Sequence, residues 1–332
     1  MTPGDRSRWA LGAWPTPLLR AGRLEARLGC GPLLVKRDDL SGFALAGSKA
    51  RPLEYLIGGA LADGHDAIVV GGVATSNFCP AAAVAARGAG LECHVVLPGR
   101  PPAPAAANLA LARACGAQVT FSGGPRDELD ERIRERAGEL TEGGRSAMAI
   151  PRGGATALGS AGFVRAAREL SEQLAAAGHD EARIVLAVGS GASIAGLLVG
   201  AGRMVGPWTV TGVSVSRALP ALVPHVDRLV DGSARLLGLP RPPPSAVHLL
   251  EAPGGLHGSA QPGHRDAGAA ALLALETEGL LLDPDYTAPA FGVALRQLME
   301  EGPPVVFWHT GGLASAISSY LAASARASEG GS

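Results

Sequence analysis

Short apolar runs alternate with longer amphipathic or alanine-rich segments along almost the whole chain, and this alternation limits the fold more than any other feature. Ala67–Val70, Glu92–Leu97, Ile184–Val188 and Val305–His309 have the length and branched apolar content of buried strands. Further strand candidates are Leu33–Lys36, Gln118–Phe121, Ser146–Ile150, Thr209–Ser214 and Leu280–Leu282. Between them stand helix candidates at 49–63, 77–89, 105–115, 126–140, 157–177, 194–204, 263–278, 289–301 and 313–322. Strands joined through helices run parallel, so the class is α/β: open, mostly parallel twisted sheets with helices on both faces. At roughly 100 to 200 residues per domain, a chain of 332 residues has room for two domains.

Composition narrows the partners. Hydrophobic residues make up 47% and charged residues 18%, with a formal net charge of -1. Such a chain can fill sizeable cores, and it lacks the basic excess that nucleic-acid binding needs. Ile184–Gly202 carries no charge and is about as long as a membrane span. Gly189, Ser190, Gly191 and Ser193 interrupt it, however, and divide it into a strand and a helix, so no membrane partner is expected. Cys30, Cys79, Cys93 and Cys115 are far apart and form no CxxC pair, which predicts free thiols and neither a disulfide framework nor a metal site. Asp5, Arg6, Arg8, Pro15 and Pro17 break up any apolar signal-peptide core. A cytoplasmic location is the expectation.

Lys36 and Lys49 are the only lysines; every other basic residue is arginine. Arginine serves surface charge equally well, but its guanidinium stays protonated and cannot replace an amine nucleophile. Lys49 lies in Gly47-Ser48-Lys49-Ala50-Arg51, a glycine-bordered turn entering a helix, whose positive end disfavours protonation of a nearby amine. That setting suits a Schiff-base lysine, and equally an exposed lysine in a turn. Lys36 ends a strand ahead of Arg37, Asp38 and Asp39 and is expected to be structural.

Ligands of open α/β sheets bind outside the carboxyl ends of the strands. Three such exits are polar and glycine-rich: Gly71–Asn77, Gly189–Ser193 and His309–Gly312. Gly189-Ser190-Gly191-Ala192-Ser193 opens a helix, so its amides and hydroxyls can cradle an anion. Ile194 stands where a dinucleotide fingerprint needs its third glycine, and the Gly-Lys-Ser/Thr ending of a P-loop is absent. A single phosphate monoester fits best, and pyridoxal 5'-phosphate carries one.

In this order, Lys49 within Ala-Gly-Ser-Lys-Ala-Arg, Thr75-Ser76-Asn77, Gly189–Ser193, Leu282-Asp283-Pro284-Asp285-Tyr286-Thr287 and His309-Thr310-Gly311-Gly312 form a recognisable set. From about Pro17 to Tyr320 the chain resembles the D-cysteine desulfhydrase and 1-aminocyclopropane-1-carboxylate deaminase family of pyridoxal-phosphate enzymes. The resemblance implies a two-domain tryptophan synthase beta-like fold with the cofactor between the domains. The small domain would span 52–158, and the large one would combine 1–51 with 159–332. Lys49 would carry the cofactor and move the α proton, and Asn77 would bond its phenolic oxygen. Ser76 would face the substrate carboxylate, and Gly189, Ser190, Gly191, Ala192 and Ser193 would hold the phosphate. Tyr286 would face the substrate, Thr287 would meet the pyridine nitrogen, and His309 and Thr310 would line the cofactor floor. A core-packed tyrosine and a buried histidine are the plainer readings of Tyr286 and His309.

Several positions depart from the family pattern. Ser48 replaces an asparagine, and Thr75-Ser76-Asn77-Phe78 replaces Gln-Ser-Asn-His. Ala288-Pro289 stands for Gly-Lys, and a second active-site tyrosine is replaced near Ser259. The cofactor half is kept while the substrate half is altered. The implied activity is α,β-elimination or β-replacement on a small, β-substituted amino acid, by a homodimer. Two other readings stay open. One is an NADP-dependent oxidoreductase with a 2'-phosphate at Ser216-Arg217; the other is a non-catalytic small-molecule binding protein on the same scaffold, which would have no need of Lys49.

Overall fold

The computed structural model describes residues 7–101, 107–202, 207–243, 247–252 and 263–329. In chain order the elements are β1 (Leu18–Arg20), α1 (Gly22–Leu28), β2 (Leu33–Arg37), α2 (Ala50–Ala62), β3 (Ala67–Gly71), α3 (Phe78–Gly88), β4 (Glu92–Leu97), α4 (Ala107–Ala114), β5 (Gln118–Phe121) and α5 (Leu129–Glu142). They continue as β6 (Ala147–Ala149), α6 (Ala157–Ala176), β7 (Ala182–Val188), α7 (Ala192–Ala201), β8 (Trp208–Ser214) and α8 (Leu219–Leu237). Then follow β9 (Val247–Glu251), α9 (Gly263–Glu278), α10 (Thr287–Leu298), β10 (Val305–His309) and α11 (Leu313–Glu329).

The strands form two sheets, one ordered β1-β2-β10-β7-β8-β9 and the other β5-β4-β3-β6. Every pairing is parallel except β1 with β2. The two-residue period of a strand explains why both faces of the larger sheet are covered. Leu34, Ile184, Leu186, Val306 and Trp308 point to a core shared with α6, α7 and α8. Their neighbours Leu33, Val35, Val185, Val305 and Phe307 point to the opposite core, with α9 and α10. In the smaller sheet Ile68, Val70 and Val95 pack with α2 and α3, whereas Val69 and Val96 pack against Leu129 and Ile133 of α5. All four strands of the smaller sheet fall between residues 67 and 149.

Ile184–Gly202 divides into β7 and α7 as its glycines predict, and no helix among the described residues is long and apolar enough to cross a membrane. All four cysteines are free thiols. Several expectations need correction. Leu280–Leu282 is apolar because Leu280 and Leu282 are buried, but it forms no strand. The helix α8 went unread because Pro220 and Pro224 interrupt its pattern. Pro220 falls in the first turn, where no amide partner is needed, and tertiary packing of Leu222, Val226, Leu229 and Val230 carries the helix past Pro224. The short strands β1 and β9 lie at the two edges of the larger sheet. The expected helix ends at 105–106 and 203–204, and Ser259, lie outside the described residues.

Lys36 is structural, as expected. It is fully buried in the larger sheet, where its amine donates to Thr16 O (2.7 Å) and Gln173 Oε1 (2.6 Å) and pairs with Glu169 (2.5 Å). Arg51 completes the cluster by clasping Asp38 through Nε and Nη2 (2.8 and 2.7 Å) and Glu169 through Nη2 (2.9 Å). Two buried cations thus meet two buried carboxylates, and the start of α2 is anchored to β2 and α6.

Candidate active site

Because the strands other than β1 run parallel to one another within each sheet, those strands end at the side of the cleft. Lys49 follows β2, Gly72 to Phe78 follow β3, Arg126 follows β5, and Arg152 follows β6. Gly189 and Ser190 follow β7, Ser216 and Arg217 follow β8, and Thr310 to Gly312 follow β10. Apart from Ala74 and Thr75, all of these residues line one pocket. Of the residues expected to act, Lys49, Ser76, Asn77, Gly189, Ser190, Tyr286 and Thr310 line it directly.

Lys49 is placed by a close backbone contact. Gly47 has φ +55°, and a Cβ there would lie 2.2 Å from Thr310 O, so only glycine lets the turn approach the β10 exit. Ser48 N–H donates to the same carbonyl (2.9 Å). The lysine amine forms no ion pair among the described residues, and burial alone lowers its pKa from 10.5 to about 8. At pH 7 roughly one-tenth of the amine is therefore neutral, far more than for an ordinary lysine, which favours it as a nucleophile or proton carrier.

The first turn of α7 forms the anion cradle. Gly191 takes φ +95° and packs against Val226 and Leu229 of α8, and no side chain caps the helix. Its first intrahelical bond is Ala195 N–H to Gly191 O (3.1 Å), so the amides of Ala192, Ser193 and Ile194 find no acceptor among the described residues. The Ser193 hydroxyl is equally uncommitted there, while His225 Nε2 reaches Ser190 O (3.0 Å).

Asn77 is oriented by a residue that sequence reasoning missed. Buried Asn108 donates through Nδ2 to Thr75 O (2.8 Å) and to Asn77 Oδ1 (3.0 Å). A backbone carbonyl only accepts, so the atom facing it must be the Asn108 nitrogen. Oδ1 of Asn77 must then be the acceptor, leaving Nδ2 as its donor. Ser76 Oγ accepts from Phe78 N–H (3.2 Å), and Phe78 is buried in the wall.

Asp283 belongs to the Leu282–Thr287 motif, but the sequence assigned it no role. Its Oδ1 accepts from Tyr286 N–H (2.8 Å), and its Oδ2 accepts from the Thr287 hydroxyl (2.6 Å), which closes the start of α10. Thr287 is buried behind it and does not line the pocket, whereas Asp283 does, lying beneath Gly312. Burial raises the Asp283 pKa to about 6. The Tyr286 ring packs against Gly189, and burial raises its hydroxyl to about 12, so it stays neutral. His309 is buried and held neutral by desolvation; its Nδ1 accepts from Gly311 N–H (3.3 Å), bracing the floor from behind. Arg126, Arg152 and Arg217 also line the pocket. Arg217 alone was marked in advance, as a nucleotide contact.

Comparison with known proteins accounts for this arrangement. A pyridoxal-phosphate dependent enzyme family model matches residues 10–311. A Pyrococcus abyssi protein provisionally named 1-aminocyclopropane-1-carboxylate deaminase is 35% identical over 306 residues, covering 90% of each chain. D-cysteine desulfhydrase of Klebsiella pneumoniae is 34% identical over 322 residues, covering 90% of this chain and 92% of the other. The crystal structure of an ACC deaminase homologue superposes with a TM-score of 0.83 at 30% identity, over 96% of this chain and 97% of that one. The expected tryptophan synthase beta-like architecture holds, and neither the NADP-dependent oxidoreductase nor the non-catalytic binding protein finds support. With the lysine, the amide cradle and these matches on one cleft, the chain belongs to the pyridoxal-phosphate dependent enzyme family.

Proposed function

We propose that the protein catalyses α,β-elimination, or the related β-replacement, on a small, β-substituted amino acid. The observation that carries this reading is the Lys49 amine, unpaired, desolvated to a pKa of about 8 and held on the same cleft as the uncapped start of α7. The residues fit pyridoxal phosphate, since the three unaccepted amides of Ala192, Ser193 and Ile194 match a monophosphate and an amine of lowered pKa matches its carbonyl. When bound, the cofactor supplies an electron sink for the α carbon.

The chain's own residues then divide the work. Lys49 Nζ carries the cofactor and takes the α proton. Gly189, Ser190, Gly191, Ala192 and Ser193 hold the phosphate, and Asn77 Nδ2, fixed by Asn108, donates to the phenolic oxygen. Ser76 and its neighbouring amides receive the substrate carboxylate, and the neutral Tyr286 hydroxyl faces the substrate. Thr287 acts toward the pyridine nitrogen together with Asp283, its partner at 2.6 Å, while His309 and Thr310 form the floor. We further propose a cytoplasmic homodimer whose small domain spans 52–158 and whose large domain combines 1–51 with 159–332. Light scattering on the purified protein tests the dimer.

The cofactor assignment is tested by borohydride reduction of the coloured protein followed by peptide mapping. The label is expected on the Lys49 peptide; a label on Lys36, or no visible absorption after cofactor addition, refutes it. Cysteine or chloroalanine of one configuration should yield ammonia and a 2-oxo acid. Because Phe78 makes one wall apolar, 1-aminocyclopropane-1-carboxylate should be a poor substrate by comparison.

A further inference from the structure

The pocket contains more positive charge than a phosphate cradle of amides requires. Arg126 and Arg152 enter from the exits of β5 and β6, and Arg217 enters from that of β8. Arg152 is already committed. Its Nε and Nη2 meet Asp130 Oδ2 (3.0 and 2.8 Å), its backbone N–H meets Oδ1 (3.0 Å), and Nη1 donates to Arg126 O (3.0 Å). The guanidinium groups of Arg126 and Arg217 make no hydrogen bond or ion pair among the described residues, although both residues are half-buried. Burial lowers the Arg217 pKa first, and repulsion from Arg152, Arg126 and exposed Arg228 lowers it further, against the attraction of Asp130. Like charges crowded in a cleft are unfavourable until an anion joins them.

The cluster and the phosphate cradle share one pocket, and the charge of Arg217 is felt at His225, which reaches the Ser190 carbonyl. Val226, Leu229 and His225 of α8 pack against Gly191 at the start of α7. The charge of Arg126 also acts on Tyr286, the residue assigned above to the substrate. Guanidinium forks match tetrahedral oxyanions in geometry and charge.

We infer that the β-substituent of the substrate carries a phosphate-like or sulfonate-like oxyanion, received by Arg126 and Arg217. This rests on the proposed lyase reading and specifies its substrate class. For O-phosphoserine, the Cα–H bond breaks with the proton passing to Lys49 Nζ. The released pair becomes the Cα–Cβ double bond, and the Cβ–O pair leaves with phosphate. One water then releases ammonia and pyruvate. The two arginines stabilise the charge growing on the departing oxygen.

The test uses the cofactor-loaded protein and an unreactive pair of racemic ligands, 2-amino-4-phosphonobutyrate and norvaline, with binding followed by calorimetry. The phosphonate should bind roughly ten- to hundredfold tighter, as expected for one charge-assisted contact, and the ratio should fall toward one in an Arg126→Gln/Arg217→Gln variant. In turnover, O-phosphoserine or S-sulfocysteine should exceed chloroalanine in kcat/KM, and the variant should lose that preference through KM. Equal binding of the two ligands overturns the anionic-substituent inference while leaving the Lys49 reading intact. So does a variant that loses cofactor affinity and keeps the ligand ratio, because the arginines would then belong to the cofactor phosphate. A protein that never takes up a visible-absorbing cofactor overturns both readings.

Discussion

Replacing Lys49 by methionine isolates the cost of burying its charge. Methionine has similar length and apolar character but no amine, so the change removes the cation with little change in volume. In the cofactor-free protein the Lys49 pKa is about 8, against 10.5 for an ordinary lysine. At about 1.4 kcal/mol per pH unit, that gap corresponds to about 3 kcal/mol, or about 2 to 3 once partial solvent contact is allowed for. The folded-state pKa is depressed, so the unfolded chain binds more protons between pH 8 and 10.5, and wild-type stability rises with pH across that window. Below pH 8 the penalty is fully present, and Lys49→Met should be the more stable protein by that amount. For a chain of this size the gain is roughly 3 to 4 °C in Tm. Above pH 10.5 the difference should vanish because the wild-type amine is neutral in both states. Differential scanning calorimetry of both cofactor-free proteins from pH 7 to 10.5 measures this. A variant no more stable than wild type at pH 7, or a difference that does not change with pH, would refute a desolvated Lys49.

Three other substitutions address different parts of the molecule. Ser193→Ala should weaken cofactor binding by about 1.5 to 3 kcal/mol, the value of a hydrogen bond to a charged phosphate, and an unchanged affinity in absorbance titration contradicts the cradle at α7. Asn108→Ala removes the donor that holds Asn77, so cofactor retention should fall; Asn108→Asp, which cannot donate at neutral pH, should be no better. Gly196→Ala would put a Cβ 2.2 Å from Ser160 O and 2.6 Å from Phe163 Cβ, forcing α6 and α7 apart. A thermal melt should show a loss of about 1 to 3 kcal/mol, and an unaltered Tm would show that the crossing has slack.

The architecture was legible in the chain because strand and helix patterns are local. The bounds read for β4, β5 and β10 at Glu92–Leu97, Gln118–Phe121 and Val305–His309 coincide with the strands, and Gly263–Glu278 coincides with α9. Buried strands of a parallel sheet are apolar on both faces, so their runs stand out against charged or alanine-rich helices. Lysine scarcity likewise drew attention to Lys49, and the glycines of 189–191 to the start of α7, since each signal lies within a few residues. The same locality misled the reading where packing overrides pattern. Prolines hid α8, and the buried apolar run at Leu280–Leu282 suggested a strand where the chain makes a loop.

Only the tertiary structure decided which polar residues meet. Asn108 is 31 positions from the amide it orients, and Glu169 is 118 from Arg51. In the sequence Arg126 and Arg152 look like ordinary surface arginines in a chain that uses arginine in place of lysine, and Arg217 stood out only as a possible nucleotide contact. They converge because parallel strands deliver their carboxyl ends to one edge, and the edges of the two sheets face the same cleft. Periodicity along a chain reports which side of its own element a residue occupies. Which charges share a pocket depends on how separate elements pack, and no local pattern encodes that.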